Sequence, residues 1–389
     1  MKINIIGGGP AGLYFAILAK KTNPAACIRV FERNPKGATY GFGVVLADQG
    51  LQHLKRADPE SYRQIAAAME MLGEQLITVP AGSIVIDSEA KAGSISRLRL
   101  LEILQRCCIE LGVEMNFEHV VEALDDYLDA DLVVGADGVN SLVRAGHERE
   151  FGTSAYMLTN RFAWYGVKRA FDRPALAFRS FRGGAFVGHY YRYQPDMSTF
   201  VAECDAATWS ACGLDRMTDA ERQDFVETVF AKDLGGYGLI ANHSTWRRFP
   251  VVENARWTHG KIVLLGDAQR SVHFSIGSGT RLAMEDAIAL RDALAAVGGD
   301  VPRMLALFEE LRRPAVALLG DAAAKSFSWY EGFGEKLGLD PLAFAHDYMT
   351  RTGRMTDKRL RSRHPRFMSD YDARQHGAGA SERLNGETL

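Results

Sequence analysis

The sequence predicts an α/β fold: a Rossmann-like nucleotide-binding domain with a parallel sheet, an inserted antiparallel-sheet domain, and C-terminal helices. Three observations predict it. The first 33 residues read as an apolar strand, a glycine-rich turn, a helix and a second strand that ends on an acid. Short apolar runs at 3–6, 28–31, 132–134 and 262–265 lack polar alternation, as expected of strands covered on both faces by helices. Between the third and fourth runs lies a long stretch of aromatic and β-branched residues broken by turn signals.

The elements follow in order. Residues 2–6 form the first strand. Gly7, Gly9 and Gly12 then stand in G-x-G-x-x-G spacing, with Pro10 and Ala11 among them. In such a turn the first glycine permits the tight bend, the second lets a pyrophosphate approach the backbone, and the third lets helix and strand pack closely. The following helix points its N–H groups at the phosphates. Glu32 closes the next strand and is placed to accept hydrogen bonds from a ribose; Arg33 beside it can approach an adenosine end. A mere packing turn is the competing reading. The strand before, the helix after and the acid at the right distance favour a dinucleotide. Residues 96–111 are helix-like, with Leu98, Leu101, Leu104 and Cys108 near one face and Gly112 as the stop. Residues 162–167, 176–181, 185–193 and 198–204 read as an antiparallel meander. A Gly277-Ser278-Gly279 turn opens a helix over 280–297, and helices fill the chain beyond about 300. Residues 351–368 are strongly basic, through Arg351, Arg354, Lys358, Arg359, Arg361, Arg363 and Arg366.

Composition excludes several classes. The chain has 389 residues, 47% hydrophobic and 24% charged, and suits two domains. A net charge of −2 gives no general attraction to nucleic acid or membrane. No apolar run approaches the roughly 20 residues of a membrane helix. The chain begins directly in a strand, which leaves no room for a signal peptide and predicts a cytoplasmic location. Cys27, Cys107, Cys108, Cys204 and Cys212 are scattered without C-x-x-C spacing. They predict buried thiols, and neither a metal site nor a disulfide framework.

Two further motifs point to the kind of dinucleotide. Gly135-Ala136-Asp137-Gly138-Val139-Asn140-Ser141, with Arg144, follows one buried strand; Leu264-Leu265-Gly266-Asp267-Ala268 follows another. Asp267 can accept a hydrogen bond from a ribityl hydroxyl, and Gly266 lets an extended cofactor lie against the backbone. A nicotinamide dehydrogenase has no need of a contact so far along the chain from its fingerprint. An FAD stretched across the whole sheet does need one. Arg144 can also serve as an ion-pair partner of Asp137 or another acid.

The ordered set GxGxxG, GADGxxSxxR and GD resembles the FAD-dependent aromatic hydroxylases, single-component flavoprotein monooxygenases, over about residues 1–320. Gly41-Phe42-Gly43-Val44-Val45, Ile95-Ser96-Arg97, Ser198-Thr199-Phe200, Trp246-Arg247-Arg248-Phe249-Pro250 and the run from Gly266 to Gly279 are similar to a narrower branch. That branch acts on salicyloyl-CoA, on 2-aminobenzoyl-CoA and, in violacein formation, on a tryptophan derivative. Most members of the wider family carry P-x-x-G-Q-G after the GD motif; this chain has His273 and Ser275-Ile276-Gly277-Ser278-Gly279 there.

The resemblance implies an FAD-binding domain over 1–74, 95–154 and 256–320. It implies a substrate-binding sheet over 75–94 and 155–255, helices over 321–370, and a disordered tail over 371–389. It further implies a monooxygenase that uses NADH or NADPH and O2 on an aromatic small molecule, with a CoA thioester such as salicyloyl-CoA, hydroxylated at position 5, as the expected substrate. Expected cofactor residues are Gly7, Gly9, Pro10, Ala11, Gly12, Glu32, Arg33, Val44, Val45, Arg97, Asp137, Gly138, Gly266, Asp267, Ser275, Gly277, Ser278 and Gly279. Expected catalytic residues are His273, His189 and Tyr191. On a strand of period two, His189 and Tyr191 share one face, where either could polarise a phenol or amine. His273, near the expected flavin, could orient substrate or take its proton. Packing roles compete for all three. Arg359, Arg361 or Arg363 could meet the phosphates of coenzyme A, in which case truncation at 350 should raise the Michaelis constant for the thioester. The chain is expected to act as a monomer or homodimer without metal, membrane or nucleic acid. An indole or tryptophan-derived substrate is the rival within the family, and a non-catalytic FAD-binding redox sensor the rival outside it.

Overall fold

The computed structural model of the protein describes residues 1–39, 41–87, 92–277 and 279–385. The chain divides into two compact units. The first comprises Met1–Glu70, Gly93–Leu158 and Arg248–Gly320; the second comprises Met71–Ala92, Thr159–Arg247 and Asp321–Leu389.

The first unit is built on a six-stranded sheet. Its order is Thr258–His259, Ile262–Leu264, Leu132–Gly135, Lys2–Ile6, Cys27–Phe31 and Glu114–Asn116. All neighbours are parallel except the short Thr258–His259 edge. All four expected strands are present. Glu114–Asn116 escaped the sequence reading because its three residues carry no apolar run. The helix Pro10–Thr22 is buried from Ala11 to Ala19, which explains its nearly unbroken apolar sequence. It packs against Arg97–Glu110 and Gly279–Val297, and all three share one core with Ile3, Ile5, Val30 and Val134.

The second unit carries a sheet in the order Leu239–Ala241, Thr153–Val167, Met197–Cys204, Gly184–Gln194, Ala175–Phe181, Gln75–Val79 and Gly82–Ile86. The four meander strands are antiparallel. Gln75–Val79 departs from the expected pattern by pairing parallel to Ala175–Phe181. Alternation splits the sheet between two cores. Phe186, Tyr190 and Phe200 pack with Trp209, Phe225 and Phe230. Val187, Leu176 and Phe178 pack with Trp329, Phe333, Phe344, Leu360, Phe367 and Met368.

The basic stretch lies in the helical C-terminal region. It contains the helix Asp357–Arg363, and Pro365–Asn385 is helical through most of the region expected to be disordered. Phe367 and Met368 are buried, and Tyr371 stacks on His346 at 4.1 Å, so packing orders the start of that helix. Cys107, Cys108 and Cys204 are buried, but Cys27 is exposed at the start of its strand. No helix among the described residues is long and apolar enough to cross a membrane. No group of three His, Cys, Asp or Glu among them could hold a metal ion.

Candidate functional site

Three loops meet at the C-terminal ends of the Lys2–Ile6, Leu132–Gly135 and Ile262–Leu264 strands. Gly7 has φ +107°, and a Cβ there would lie 2.3 Å from the Ala136 carbonyl oxygen. A Cβ on Gly12 would lie 2.2 Å from the Gly7 carbonyl oxygen. These two glycines lock the first loop against the second and against its own helix. Gly9 differs: a Cβ there would meet no protein atom closer than 4.0 Å. It is the N-cap of Pro10–Thr22 without a side-chain cap, and Pro10 opens the helix. Ala11 lies beside Gly266, so the first loop also abuts the third.

Glu32 does more than the sequence suggested. One carboxylate oxygen accepts from the Gly8 N–H at 2.7 Å; the other accepts from the Asn34 backbone N–H at 2.8 Å and its side-chain amide at 2.6 Å. The acid braces the glycine loop, and the oxygen on Gly8 retains a lone pair for a further donor. Arg33 is exposed and has no ion pair among the described residues.

Asp137 turns inward. It accepts from the Ser141 hydroxyl at 2.6 Å and from the Leu142 and Val143 N–H groups at 2.7 and 3.2 Å. Burial pushes its carboxyl above the usual range, against the pull of these bonds. The carboxylate closes its own turn, and its Oδ1 retains a lone pair for a further donor. Gly138, with φ +82°, has open space where a Cβ would stand. Arg144, 8% exposed, donates to the Ala268 carbonyl at 3.1 Å and the Val139 carbonyl at 2.5 Å. It joins the second and third loops through these carbonyls.

Asp267 sits in the third loop at the turn Gly266–Ala268. Its carboxylate is open to solvent, yet the surrounding protein raises its pKa, while Arg97 and Arg270 lower it and Asp286 raises it. Arg97 begins the helix Arg97–Glu110, where the Ser96 side chain caps the first turn and the Arg97 N–H donates to the Phe42 carbonyl at 2.8 Å. Val44 and Val45 are half-buried on Gly43–Ala47.

Sequence reasoning missed the layer beneath Asp267. Asp286, fully buried, accepts from Arg270 at 3.1 and 3.2 Å, Arg312 at 2.7 Å and the Gly266 N–H at 3.3 Å. Beside it, Glu285 accepts from Arg281 at 2.8 Å and Arg312 at 3.1 Å, and meets His53 at 2.9 Å. Two adjacent acids within an otherwise buried helix were the available signal.

His273 is 3% exposed, between Phe249 and Phe274 at 4.8 and 4.3 Å, and its Nδ1 accepts from the Ser275 N–H. It packs between these rings and caps the turn Phe274–Ile276. Ser275 is buried in that turn, Gly277 ends it in the left-handed region, and Gly279 opens the helix Gly279–Val297. Ser278 lies outside the described residues.

In the second unit, the His189 imidazole lies 3.3 Å from a Glu203 carboxylate oxygen and 5.3 Å from the Tyr330 ring. Glu203, 1% exposed, also accepts from the Asn160 side chain at 2.8 Å. Tyr191 bonds Thr199, and burial drives its hydroxyl pKa upward.

The first unit fits an extended dinucleotide. Gly9, Gly138, Gly277 and Gly279 leave open space where side chains would stand, and Asp267 offers an open acceptor. Residues 111–323 match the FAD binding domain family. The chain is 37% identical to a salicyloyl-CoA 5-hydroxylase from Streptomyces sp, over 90% of this chain and 70% of that protein. It is 35% identical to a 3-hydroxy-4-methyl-anthranilyl-[aryl-carrier protein] 5-monooxygenase from Streptosporangium sibiricum, over 85% and 89%. The fold matches the tetrameric form of 2-methyl-3-hydroxypyridine-5-carboxylic acid oxygenase with a TM-score of 0.70 at 20% identity, over 92% of this chain and 95% of that one. The chain belongs to the FAD binding domain family and is an FAD-dependent aromatic hydroxylase, a flavoprotein monooxygenase.

Proposed function

We propose that the protein hydroxylates an electron-rich aromatic ring presented as an acyl thioester, such as salicyloyl-CoA at position 5, with NADH or NADPH as reductant. One atom of O2 enters the ring, the other leaves as water, and the nicotinamide provides two electrons. The observation that carries this reading is the identity to the Streptomyces relative, which extends over nine-tenths of the chain. The second relative, named for a carrier-bound anthranilyl group, supports a thioester in particular.

Bound FAD supplies electron transfer from the nicotinamide and activation of oxygen. The chain's own residues bind and orient. The loop Gly7–Gly12 and the start of Pro10–Thr22 receive the pyrophosphate. Glu32 takes a ribose hydroxyl on its remaining lone pair, and Asp267 takes a ribityl hydroxyl. Arg97 brings positive charge beside Asp267, and the first N–H groups of Gly279–Val297 suit the electron-rich edge of the ring system. Asp286, Arg270 and Arg312 keep Asp267's loop in register.

The test is NAD(P)H consumption by purified protein with salicyloyl-CoA, 2-aminobenzoyl-CoA, salicylate and an indole acid, with product mass checked for one added oxygen. A thioester should give the largest stimulation and the mass gain. Stimulation by the free acids with none by either thioester would overturn the proposal.

A further inference from the structure

The basic stretch of the second unit stands apart from other helices of the chain. Those helices set opposite charges one turn apart: Arg99 with Glu102, Arg106 with Glu110, Glu309 with Arg313, and Asp321 with Lys325. Such pairs stabilise a helix, and like charges at the same spacing destabilise it by a similar amount. Residues 351–368 hold seven basic residues against one acid, Asp357, a net of +6 within a chain whose net charge is −2. On the helix Asp357–Arg363, Lys358 stands one turn from Arg361, and Arg359 one turn from Arg363. The Arg359 guanidinium donates to the Arg354 carbonyl at 2.8 Å, which draws the turn before the helix against this array.

Partners within the chain answer only part of the charge. Arg361 pairs with Asp372 at 2.9 Å, and Arg366 lies 3.8 Å from Glu74. Asp357 is taken by His346 at 2.9 Å. Arg354, Lys358, Arg359 and Arg363 are exposed, and none of them meets an acid among the described residues. Packing holds these four in place. Leu360 is buried in the middle of the helix, and Phe367 and Met368 bury the start of the next, in one core with Phe178 and Phe344. The Asp87 carboxylate caps that next helix through the Arg366 and Phe367 N–H groups at 3.4 and 3.2 Å. A loose tail would let like charges move apart; a packed helix bears their repulsion. A surface of matching carboxylates relieves it and gains orientation as well.

We infer that this helix and the turn before it dock an acidic acyl carrier protein, which presents the aromatic acyl group as a thioester on a phosphopantetheine arm. The inference rests on the proposed thioester substrate and adds the partner that delivers it. Acyl carrier proteins are small, strongly acidic helical domains, so the charges are complementary. The helix covers about 10 Å of its axis, and the cations continue into the preceding turn. The phosphates of coenzyme A sit together at one end of that molecule, whereas a row of this length suits carboxylates spread over a folded domain.

The experiment measures KM, through NAD(P)H consumption and product mass, for three salicyloyl thioesters: an acylated carrier protein, salicyloyl-CoA and salicyloyl-pantetheine. It compares the native chain with Lys358→Glu/Arg363→Glu and with a control pair, Lys168→Glu/Lys232→Glu, two exposed lysines elsewhere in the second unit. FAD content and melting temperature serve as controls for folding. Lys358→Glu/Arg363→Glu should raise KM for the carrier thioester about tenfold or more, raise it for salicyloyl-CoA no more than about fivefold, and leave salicyloyl-pantetheine unchanged. The carrier effect should shrink as salt approaches about 0.5 M. The control pair should behave as the native chain. Equal rises for the carrier thioester and salicyloyl-CoA assign the helix to phosphate alone and overturn the dock. No rise, or an equal rise in the control pair, also overturns it. A native chain that turns over salicyloyl-CoA but not the carrier thioester removes the dock and leaves the proposed function standing. A native chain that turns over none of the three thioesters removes the proposed substrate class and the dock with it.

Discussion

The two units position their chemical groups by different means. In the first, the contacts expected for FAD come from backbone at the ends of three parallel strands, with a few acids and arginines behind it. In the second, every polar group of interest is a side chain, brought beside the others by strand register or helical spacing. The difference teaches where each site tolerates change. A backbone cradle fails through atoms that cannot move, whereas a side-chain array fails one ligand group at a time.

The sharpest test of that contrast is a pair of glycine substitutions within one loop. Gly12→Ala would drive a methyl to 2.2 Å from the Gly7 carbonyl. Backbone cannot yield there as a long side chain can, so the variant should lose about 3 kcal/mol or more and purify colourless. Gly9→Ala points its methyl into open space. It should melt like the native apoprotein yet bind FAD at least about tenfold more weakly, a loss of some 1.4 kcal/mol. Flavin absorbance and thermal melting separate the two. If Gly9→Ala retains native FAD affinity, the pyrophosphate does not approach that backbone.

The next effect lies below the loops. Asp286→Asn leaves Arg270 and Arg312 without their shared carboxylate in a buried setting. Removing one partner of such a network destabilises by about 3–5 kcal/mol. The melting temperature should fall, and FAD should dissociate more readily because one amide oxygen cannot serve Gly266, Arg270 and Arg312 together. A variant that melts normally would show that the network is not what holds the third loop.

The same contrast explains what was legible in the sequence. The parallel strands, the glycine loops and Asp267 were readable because each is a contiguous run with local geometry. Glu32 was located correctly, but its bonds to Gly8 and Asn34 depend on how the loop folds back over it. Asp137 and His273 were singled out by their place in the motifs, but their capping bonds to Ser141, Leu142 and Ser275 depend on turns that spacing does not reveal. His189 and Glu203 were invisible as a pair, since strand register alone brings them together. Asp286 and Arg312 lie on different helices, and no spacing rule links them. The basic segment was expected among the C-terminal helices, but its anchoring was not legible: Leu360, Phe367 and Met368, spaced at longer intervals among the arginines, tie it into the core.

Asp267 gives a smaller effect with opposite signs on stability and binding. Its carboxyl pKa is raised in the fold, so ionisation is harder there than in the unfolded chain. The resulting penalty is absent below the ordinary carboxylate pKa, appears as pH rises, and is complete above the raised value. Asp267→Asn should therefore stabilise the apoprotein at neutral pH and change nothing at low pH. FAD binding has the reverse sign, because a ribityl hydroxyl donates best to the ionised carboxylate. Affinity in the native protein should fall as pH drops, beginning above the usual carboxylate range. The variant should bind FAD about tenfold more weakly at pH 8 and lose that step. Titrations of flavin fluorescence between about pH 5 and 8, paired with melting curves, check both signs. Equal pH profiles for the two proteins would remove Asp267 from the cofactor contact.

The smallest effect concerns the phosphates of a thioester substrate. Truncation at residue 350 is a poor probe, because it strips Leu360, Phe367 and Met368 from the core of the second unit. Point substitution is the cleaner route, and the structure narrows the choice. Arg361 pairs with Asp372, and Arg351 lies over Tyr348 and donates to Ser326. Arg359 and Arg363 are exposed, and neither has an acidic partner among the described residues. Exposed ion pairs are worth less than about 1 kcal/mol, so Arg359→Ala with Arg363→Ala should raise KM for salicyloyl-CoA about two- to fivefold and leave kcat alone. The gap between native and variant should close above roughly 0.5 M salt, where surface charges are screened. Binding of free salicylate should be identical in both. A rise in KM shared by salicylate would place the effect on the ring's own site, and no rise at all would leave coenzyme A phosphates without a role for this helix.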